Sequence, residues 1–341
     1  MKAAVLRAIA QPLTLDDVPT PVPGPDEVLV QTKACGICGT DLHLVDGWGY
    51  QPDLPFVMGH EPAGLVAAVG ANVTRFKPGD RVVANIFYAC GECRYCRVNR
   101  ETQCLNLGGI LGVLRHWGGY GEYFRLPARQ LFPLPPAISF AEGAVIADAV
   151  VTAVHAVERG RVAAGENVVV LGVGGCGSAV LQVAAQAGAR VIGIDRGEAK
   201  RQRILGLGAD AALDASAGAD VPQAVRELTG GLGADCIVDT VGSQASIKQS
   251  LNALARGGRL VILGYTQETP PLDPRQVAVN ELEVLGTRSG GRQCTVEAIR
   301  VVGGGRWRPI VTDTFPIEHV NQALQRLRSG QALGRIVLTY E

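Results

Sequence analysis

Gly172-Val173-Gly174-Gly175-Cys176-Gly177 is the stretch that most narrows what this chain can fold into. It lies between Val168-Val169-Val170-Leu171, which reads as a strand, and a helical segment from Ala179 to Ala187. In a chain with 44 glycines the G-x-G-x-x-G spacing alone decides little, and its place between strand and helix decides more. Such glycines permit a tight turn, let the backbone approach a pyrophosphate, and let the helix pack close to the sheet. The helix N-terminus adds free N–H groups and the positive end of its dipole. Val191-Ile192-Gly193-Ile194, Cys236-Ile237-Val238-Asp239 and Arg259-Leu260-Val261-Ile262-Leu263 then alternate with helical segments, the pattern of a parallel α/β sheet.

Asp195 ends the next strand, eighteen residues after Gly177, where a carboxylate accepts hydrogen bonds from a ribose diol. A carboxylate there repels a 2′-phosphate, which favours NAD over NADP. Arg196 beside it could pair with a phosphate instead. Lys200, one helical turn on, could reach the ribose or stay solvated.

Residues 1 to 145 have a different texture. Val28 to Ala34, Gly64 to Gly70 and Gly79 to Ala84 read as short strands bounded by glycine, behind a proline-rich approach from Pro19 to Pro25. The pattern predicts a barrel-like β domain. After Pro135-Pro136 it changes, and Ser139-Phe140-Ala141-Glu142 spells a capping box that opens a helix. Mixed elements return near Thr287, and a helix over Val320 to Ser329 and a strand over Arg335 to Thr339 close the chain. With 341 residues, two domains are expected.

Thirty-two basic and 32 acidic residues cancel, leaving no electrostatic footprint for nucleic acid or an acidic membrane. No run of about 18 uninterrupted apolar residues suggests a membrane span, and the N-terminus lacks the pattern of a signal peptide. A cytoplasmic location is expected.

The nine cysteines are unevenly spread, with Cys176, Cys236 and Cys294 scattered. An odd count without an export signal points to metal rather than disulfides. Cys90-x2-Cys93-x2-Cys96-x7-Cys104 brings three thiolates round one tetrahedral ion and returns a fourth by a short loop. A four-thiolate zinc site is closed and therefore structural; an iron–sulfur cluster would need the same ligands. Cys38 stands apart, with Thr40, Asp41 and His43 just after it and His60-Glu61 further on. Thiolate and imidazole are ligands zinc prefers, and three protein ligands leave a position open for substrate.

Taken together, these segments resemble the zinc-containing medium-chain alcohol dehydrogenases over essentially the whole chain. The matching stretches are Gly36 to His43, Gly59-His60-Glu61-Pro62-Ala63-Gly64, Lys77 to Val82, the cysteine quartet, Gly118 to Tyr123 and the dinucleotide fingerprint. The resemblance implies a mainly β, GroES-like barrel catalytic domain from residues 1–148 and 287–341, with a structural zinc lobe over about 88–106. A Rossmann doubly wound parallel sheet from 149–286 is inserted in it, with the active site in the cleft. Cys38 and His60 match two ligands of a catalytic zinc. Asp148 stands where many members carry the third ligand as a cysteine, and a carboxylate there gives a harder, less electron-donating site. Glu61 is a carboxylate that could approach the metal. Thr40 and His43 match the inner and outer ends of the family's proton relay, and Asp41 the carboxylate that orients the ligating histidine. Arg335 resembles the family's pyrophosphate-binding arginine.

The implied activity is reversible hydride transfer between an alcohol and NAD, with two zinc ions per chain. The substrate would be a small alcohol, aldehyde or ketone, with Trp48, Tyr50, Phe56 and Trp117 as candidates for an apolar pocket. A polyol dehydrogenase is the nearest alternative, and a zinc-ribbon binding protein one from another class. The family suggests a homodimer or homotetramer.

Overall fold

The computed structural model describes residues 1–216 and 218–340. They form two compact units, Met1–Val151 with Gly290–Glu341, and Thr152–Ser289.

In the second unit six strands run parallel: Asn167–Leu171, Arg190–Asp195, Ala211–Asp214, Ala234–Asp239, Leu254–Ile262 and Glu283–Gly286. Numbered along the chain, they stand in the order 3-2-1-4-5-6, that of a doubly wound dinucleotide-binding sheet. The inner strands read as near-continuous apolar runs because helices cover both faces. Val169, Leu171, Ile192, Ile194, Ile237 and Leu260 are all buried. Strand order reverses between the first and fourth strands, which end at Leu171 and Asp239, so the crevice of this sheet lies beside Gly172.

The first unit is organised on a mostly antiparallel sheet. Leu131–Pro133, Arg81–Ala84, Glu61–Val69, Glu27–Ile37, Arg335–Thr339 and Val311–Pro316 follow one another across it, and Tyr123–Pro127 also pairs with Glu27–Ile37. A smaller sheet joins Thr14–Asp17, Lys2–Leu6 and Phe56–Val57. Along Glu27–Ile37 burial alternates through Ala34 and is then continuous from Cys35 to Ile37. The strand thus starts with one face on the core and ends inside it. That buried end delivers Cys38. Gly36 faces Glu61 on one neighbour and Val337 on the other, so three distant segments converge here.

The predicted capping box is present: the Ser139 side chain accepts from the Glu142 N–H and Glu142 Oε2 accepts from the Ser139 N–H. The helix it opens, Phe140–Val145, widens into a π-helical turn at Ile146–Val150 before Val151–Arg159. Such turns recur at functional sites, and this one carries Asp148. The stretch Phe140–Arg159 is long and apolar enough to cross a membrane, but 72% of its most apolar window is buried inside the protein, as in a core helix. Among the described residues it is the one helix that meets that length and composition.

Candidate metal and dinucleotide sites

Cys38 is the N-cap of the helix Gly39–Asp46, its extended φ of −121° turning the chain from strand to helix. Asp41, at the third helical position, accepts the Cys38 N–H through Oδ2 at 2.8 Å. Its Oδ1 lies 3.4 Å from His60 Nδ1, an ion-pair distance without the alignment of a hydrogen bond. One carboxylate therefore spans both residues and holds the imidazole by the nitrogen that does not face the site, the arrangement metal-bound histidines usually have. The other nitrogen, Nε2, is 3.8 Å from Glu61 Oε1.

Asp148 Oδ2 lies 3.7 Å from Cys38 Sγ. Zinc–sulfur and zinc–oxygen bonds of about 2.3 and 2.1 Å place tetrahedral S and O donors about 3.6 Å apart, so this pair fits one ion. The ligand atoms of Cys38, His60, Glu61 and Asp148 all lie within 4.8 Å of one another. The donor set also fits by charge. A thiol and two carboxyls are gathered in the interior with Arg335 as the counter-charge, an environment that a divalent cation relieves.

Arg335 is buried, 4% exposed. Its Nε donates to Glu61 Oε2 at 2.8 Å, and Nη2 donates to Glu61 Oε1 and, at 2.7 Å, to Asp148 Oδ2. Beside the pyrophosphate contact expected of it, Arg335 thus donates to the carboxylates of the metal cluster. Glu61 reaches it by crossing Gly36, where an added Cβ would sit 1.9 Å from Glu61 Oε2. Close approach, not a turn, requires that glycine.

Burial drives the Asp148 carboxyl above the usual carboxylate range, the Cys38 charge adds to this, and His60 and Arg335 oppose it. Burial raises Glu61 too, against the pull of Arg335. Burial alone would lower His60, but the Asp41 carboxylate and Cys38 outweigh it and hold the imidazole well above its ordinary value. Thr40 Oγ1 is 4.0 Å from Cys38 Sγ. His43, three residues on and so on the same helix face, packs against Trp48 in a tilted ring contact with centroids 3.7 Å apart. Burial lowers its pKa.

The four cysteines of the lobe form a second group. Sγ separations are 3.9 Å for Cys90–Cys96, 3.6 Å for Cys93–Cys96 and 3.5 Å for Cys90–Cys104. Four sulfurs about 2.3 Å from one zinc stand about 3.8 Å apart, and no disulfide links them. Hydrogen bonds from the Cys96 and Leu105 N–H groups bring Cys93 down to about 6, while burial pushes Cys96 up to about 12.

In the second unit Gly172 has φ +86°, and a Cβ there would press on Thr240 Oγ1 at 2.5 Å. A Cβ on Gly177 would meet the Gly172 carbonyl oxygen at 1.9 Å, whereas one on Gly174 would meet nothing within 4 Å. Two glycines therefore serve the fold, and the third keeps space open above the turn. The helix Gly175–Gln186 begins there with no side-chain cap, leaving its first N–H groups for a ligand. Asp195 Oδ2 accepts the Val173 N–H at 2.9 Å, and Oδ1 accepts from the Arg196 N–H at 2.7 Å and Lys200 Nζ at 3.1 Å. Asp195 thus ties its strand end to the glycine turn. Lys200 is paired with Asp195, and the Arg196 side chain is exposed. The cradle fits a dinucleotide.

Two family models match in chain order: an alcohol dehydrogenase GroES-like domain over residues 24–136 and a zinc-binding dehydrogenase domain over residues 175–303. An alcohol dehydrogenase of Geobacillus stearothermophilus is 35% identical over 99% of each chain. The chain belongs to the zinc-containing medium-chain alcohol dehydrogenase family. An NAD-dependent alcohol dehydrogenase of Sulfolobus acidocaldarius is 33% identical, and an acryloyl-coenzyme A reductase of Metallosphaera sedula 31%, both over 99% of this chain and at least 99% of their own. The crystal structure of the alcohol dehydrogenase of Aeropyrum pernix superposes with a TM-score of 0.93 at 34% identity over 100% of both chains. The GroES-like and Rossmann fold class read from the sequence is that of the family. So are zinc and NAD, and two metal-competent clusters occur among the described residues.

The aromatic residues suggested for a substrate pocket do not act together. Phe56 is 2% exposed in the core, and Tyr50 packs against it. Trp117 lines a cavity of about 430 Å³ with Pro19, Tyr88, Arg115, His116 and Arg125, none of them a ligand of either cluster. Trp48 packs against His43, the outer residue of the relay. What sequence reading missed was the guanidinium bridge from Arg335 to Glu61 and Asp148, which no local pattern announces.

Proposed function

We propose that the protein oxidises primary or secondary alcohols, aliphatic or aromatic, to aldehydes or ketones with NAD, and catalyses the reverse reduction. The observation that carries this reading is the convergence of Cys38, His60 and Asp148 on one point, with Thr40 beside the thiol. Zinc, when bound there, supplies Lewis acidity to an alcohol or carbonyl oxygen. Cys38, His60 and Asp148 hold it, and Asp41 fixes the imidazole. Thr40 accepts a hydrogen bond from the substrate hydroxyl, and His43 stands at the outer end of the relay. Gly172, Gly174, Gly175 and Gly177 receive the pyrophosphate, and Asp195 the ribose diol. The quartet Cys90, Cys93, Cys96 and Cys104 holds the second zinc and supports its lobe. A homodimer or homotetramer is the assembly proposed.

A screen of benzyl alcohol, butanol, 2-butanol and sorbitol, with NAD and NADP in parallel, tests the reading. Turnover of the first three with NAD supports it; turnover of sorbitol alone would move the assignment to a polyol dehydrogenase. The similarity to an acryloyl-coenzyme A reductase supports a second reading, reduction of an activated alkene, so acryloyl-coenzyme A with reduced cofactor belongs in the same panel.

A further inference from the structure

Glu101 is a buried carboxyl residue, 3% exposed, that belongs to neither metal cluster. It opens the short helical turn Glu101–Gln103, and its carbonyl accepts the Cys104 N–H at 3.0 Å. Asn99, two residues earlier, takes the left-handed φ of +58° and donates its N–H to the Cys96 carbonyl at 3.2 Å. The segment between the third and fourth lobe cysteines is thus fixed close to a cysteine at each end.

The side chain of Glu101 reaches a distant part of the chain. Its Oε2 accepts the Arg292 N–H at 3.4 Å, across 191 positions. Arg292 opens the helix Arg292–Gly303, and Gly291 before it offers no side-chain cap. The first N–H groups of a helix need partners, and Glu101 supplies one from the lobe. An added Cβ on Gly291 would sit 2.3 Å from Glu101 Oε2 and 3.1 Å from the Asn99 carbonyl oxygen, so lobe and helix start are in close contact.

From the helix start the contact passes to the other metal cluster. Gly290 lies against Val151, where an added Cβ would meet Cγ1 at 2.7 Å and the carbonyl oxygen at 2.9 Å. Buried Asn85 fixes it there, its Nδ2 donating to the Gly290 carbonyl and to Thr295 Oγ1 at 2.9 Å each. Val151 follows the π-helical turn Ile146–Val150 and donates its N–H to the Asp148 carbonyl. Glu101 is therefore linked to the Asp148 backbone through Arg292, Gly290 and Val151, all within one compact unit.

We infer that Glu101 is a positioning residue for Asp148. It seats the start of the helix Arg292–Gly303, the helix start braces the π-helical turn, and the cysteine lobe so holds one arm of the Cys38 site. Binding constellations work only when held to within about 0.5 Å, so a loosened brace should be felt at the metal. The inference rests on the reading of Asp148 as a metal ligand and of the cysteine quartet as a zinc site.

Glu101→Leu removes the acceptor at similar volume, and Gly291→Ala displaces the carboxylate from the helix side. Each is prepared with zinc in the cysteine lobe and cobalt(II) at the Cys38 site, where the visible absorption of cobalt reports ligand geometry. Metal in the parent is counted first: two ions per chain are expected, and a single one overturns the underlying reading rather than the inference. In both variants the cobalt bands should shift. The dissociation constant at the Cys38 site should rise by about 3- to 10-fold, less than the roughly 10- to 100-fold set by groups that touch the ligands. Zinc in the lobe should stay, which also reports that the lobe is folded. In an Asp148→Asn background Glu101→Leu should change the constant by less than about twofold, whereas a general loss of stability would act equally in both backgrounds. Parent-like bands in Glu101→Leu with a constant within about twofold of the parent overturn the inference, as does an equal loss in the Asp148→Asn background. Should Glu101→Leu not fold or not keep its lobe zinc, Gly291→Ala decides on the same readings.

Discussion

Asp148 Oδ2 stands 3.7 Å from Cys38 Sγ although 110 positions separate them in the chain. One residue ends a buried strand and the other sits on a π-helical turn, and between them they define where a metal ion can be held. Many family members carry a cysteine in place of Asp148, so the relationship sets how hard a Lewis acid this chain offers.

Asp148→Asn removes a charged donor and should weaken zinc at the Cys38 site by at least about tenfold, the lower bound for residues that merely orient ligands. Zinc at the cysteine quartet should stay. Asp148→Cys restores an anionic donor and should keep two zinc ions per chain. Metal analysis after dialysis against a weak chelator checks both variants.

The stability contributed by the metal-free Cys38 cluster should fall as pH rises. Glu61, Asp148 and His60 all have folded-state pKa values raised above their ordinary ones. At these three groups the native state therefore binds more protons than the unfolded one, and their share of the slope of unfolding free energy with pH is negative. The contribution of the two carboxyls is complete below pH about 4 and that of His60 below about 6.5, and each is lost as pH passes the folded value. Zinc takes the deprotonated ligands, so the gap in urea midpoint between zinc-saturated and chelator-treated protein should widen from pH 5 to 8. A gap that narrows with pH counts against this picture of the cluster.

Gly174→Ala and Gly177→Ala separate fold from cofactor. Gly174 has φ −80° and open space where a methyl would go, so the variant should unfold at the parent temperature. Its NAD affinity should fall at least about tenfold, since the methyl occupies space that backbone and pyrophosphate share. Gly177→Ala must push against the Gly172 carbonyl oxygen and should lose stability on the order of 1–3 kcal/mol. Thermal unfolding and NAD titration of the two proteins check the contrast.

Cys93 should be the first lobe cysteine to react once zinc is removed. Backbone N–H groups hold its thiolate with a pKa of about 6, while Cys96 is held up at about 12. Thiolate is the reactive form. Alkylation with iodoacetamide at pH 7 in chelator, followed by peptide mass spectrometry, should label Cys93 well before Cys96, and zinc should protect both.

What the sequence made legible was what short range determines. Ser139 and Glu142 lie three positions apart, and their capping box is where the residues put it. The glycine turn, Asp195 and the cysteine quartet are likewise local patterns. The closing helix and strand, read as Val320 to Ser329 and Arg335 to Thr339, occur at Val320–Arg328 and Arg335–Thr339. Arg335 shows where such reading stops. Its partners lie 274 and 187 positions away, brought to it by sheet register and a helical turn. Phe56 is a similar case. Its place near His60 in sequence suggested a pocket, but strand pairing with Leu6 turned it into the core. Asp41 was legible as a partner of His60, yet not its simultaneous grip on the Cys38 N–H, which depends on where the strand hands over to the helix.

The central claim is that Cys38, His60 and Asp148 hold the zinc on which turnover depends, and Cys38→Ser tests it most directly. Zinc content, NAD binding and alcohol-dependent NADH formation are measured on this variant and its parent together. The account expects two zinc ions per parent chain and one in the variant, NAD binding largely intact, and turnover abolished. Full activity in Cys38→Ser, or a single zinc in the parent, would contradict it.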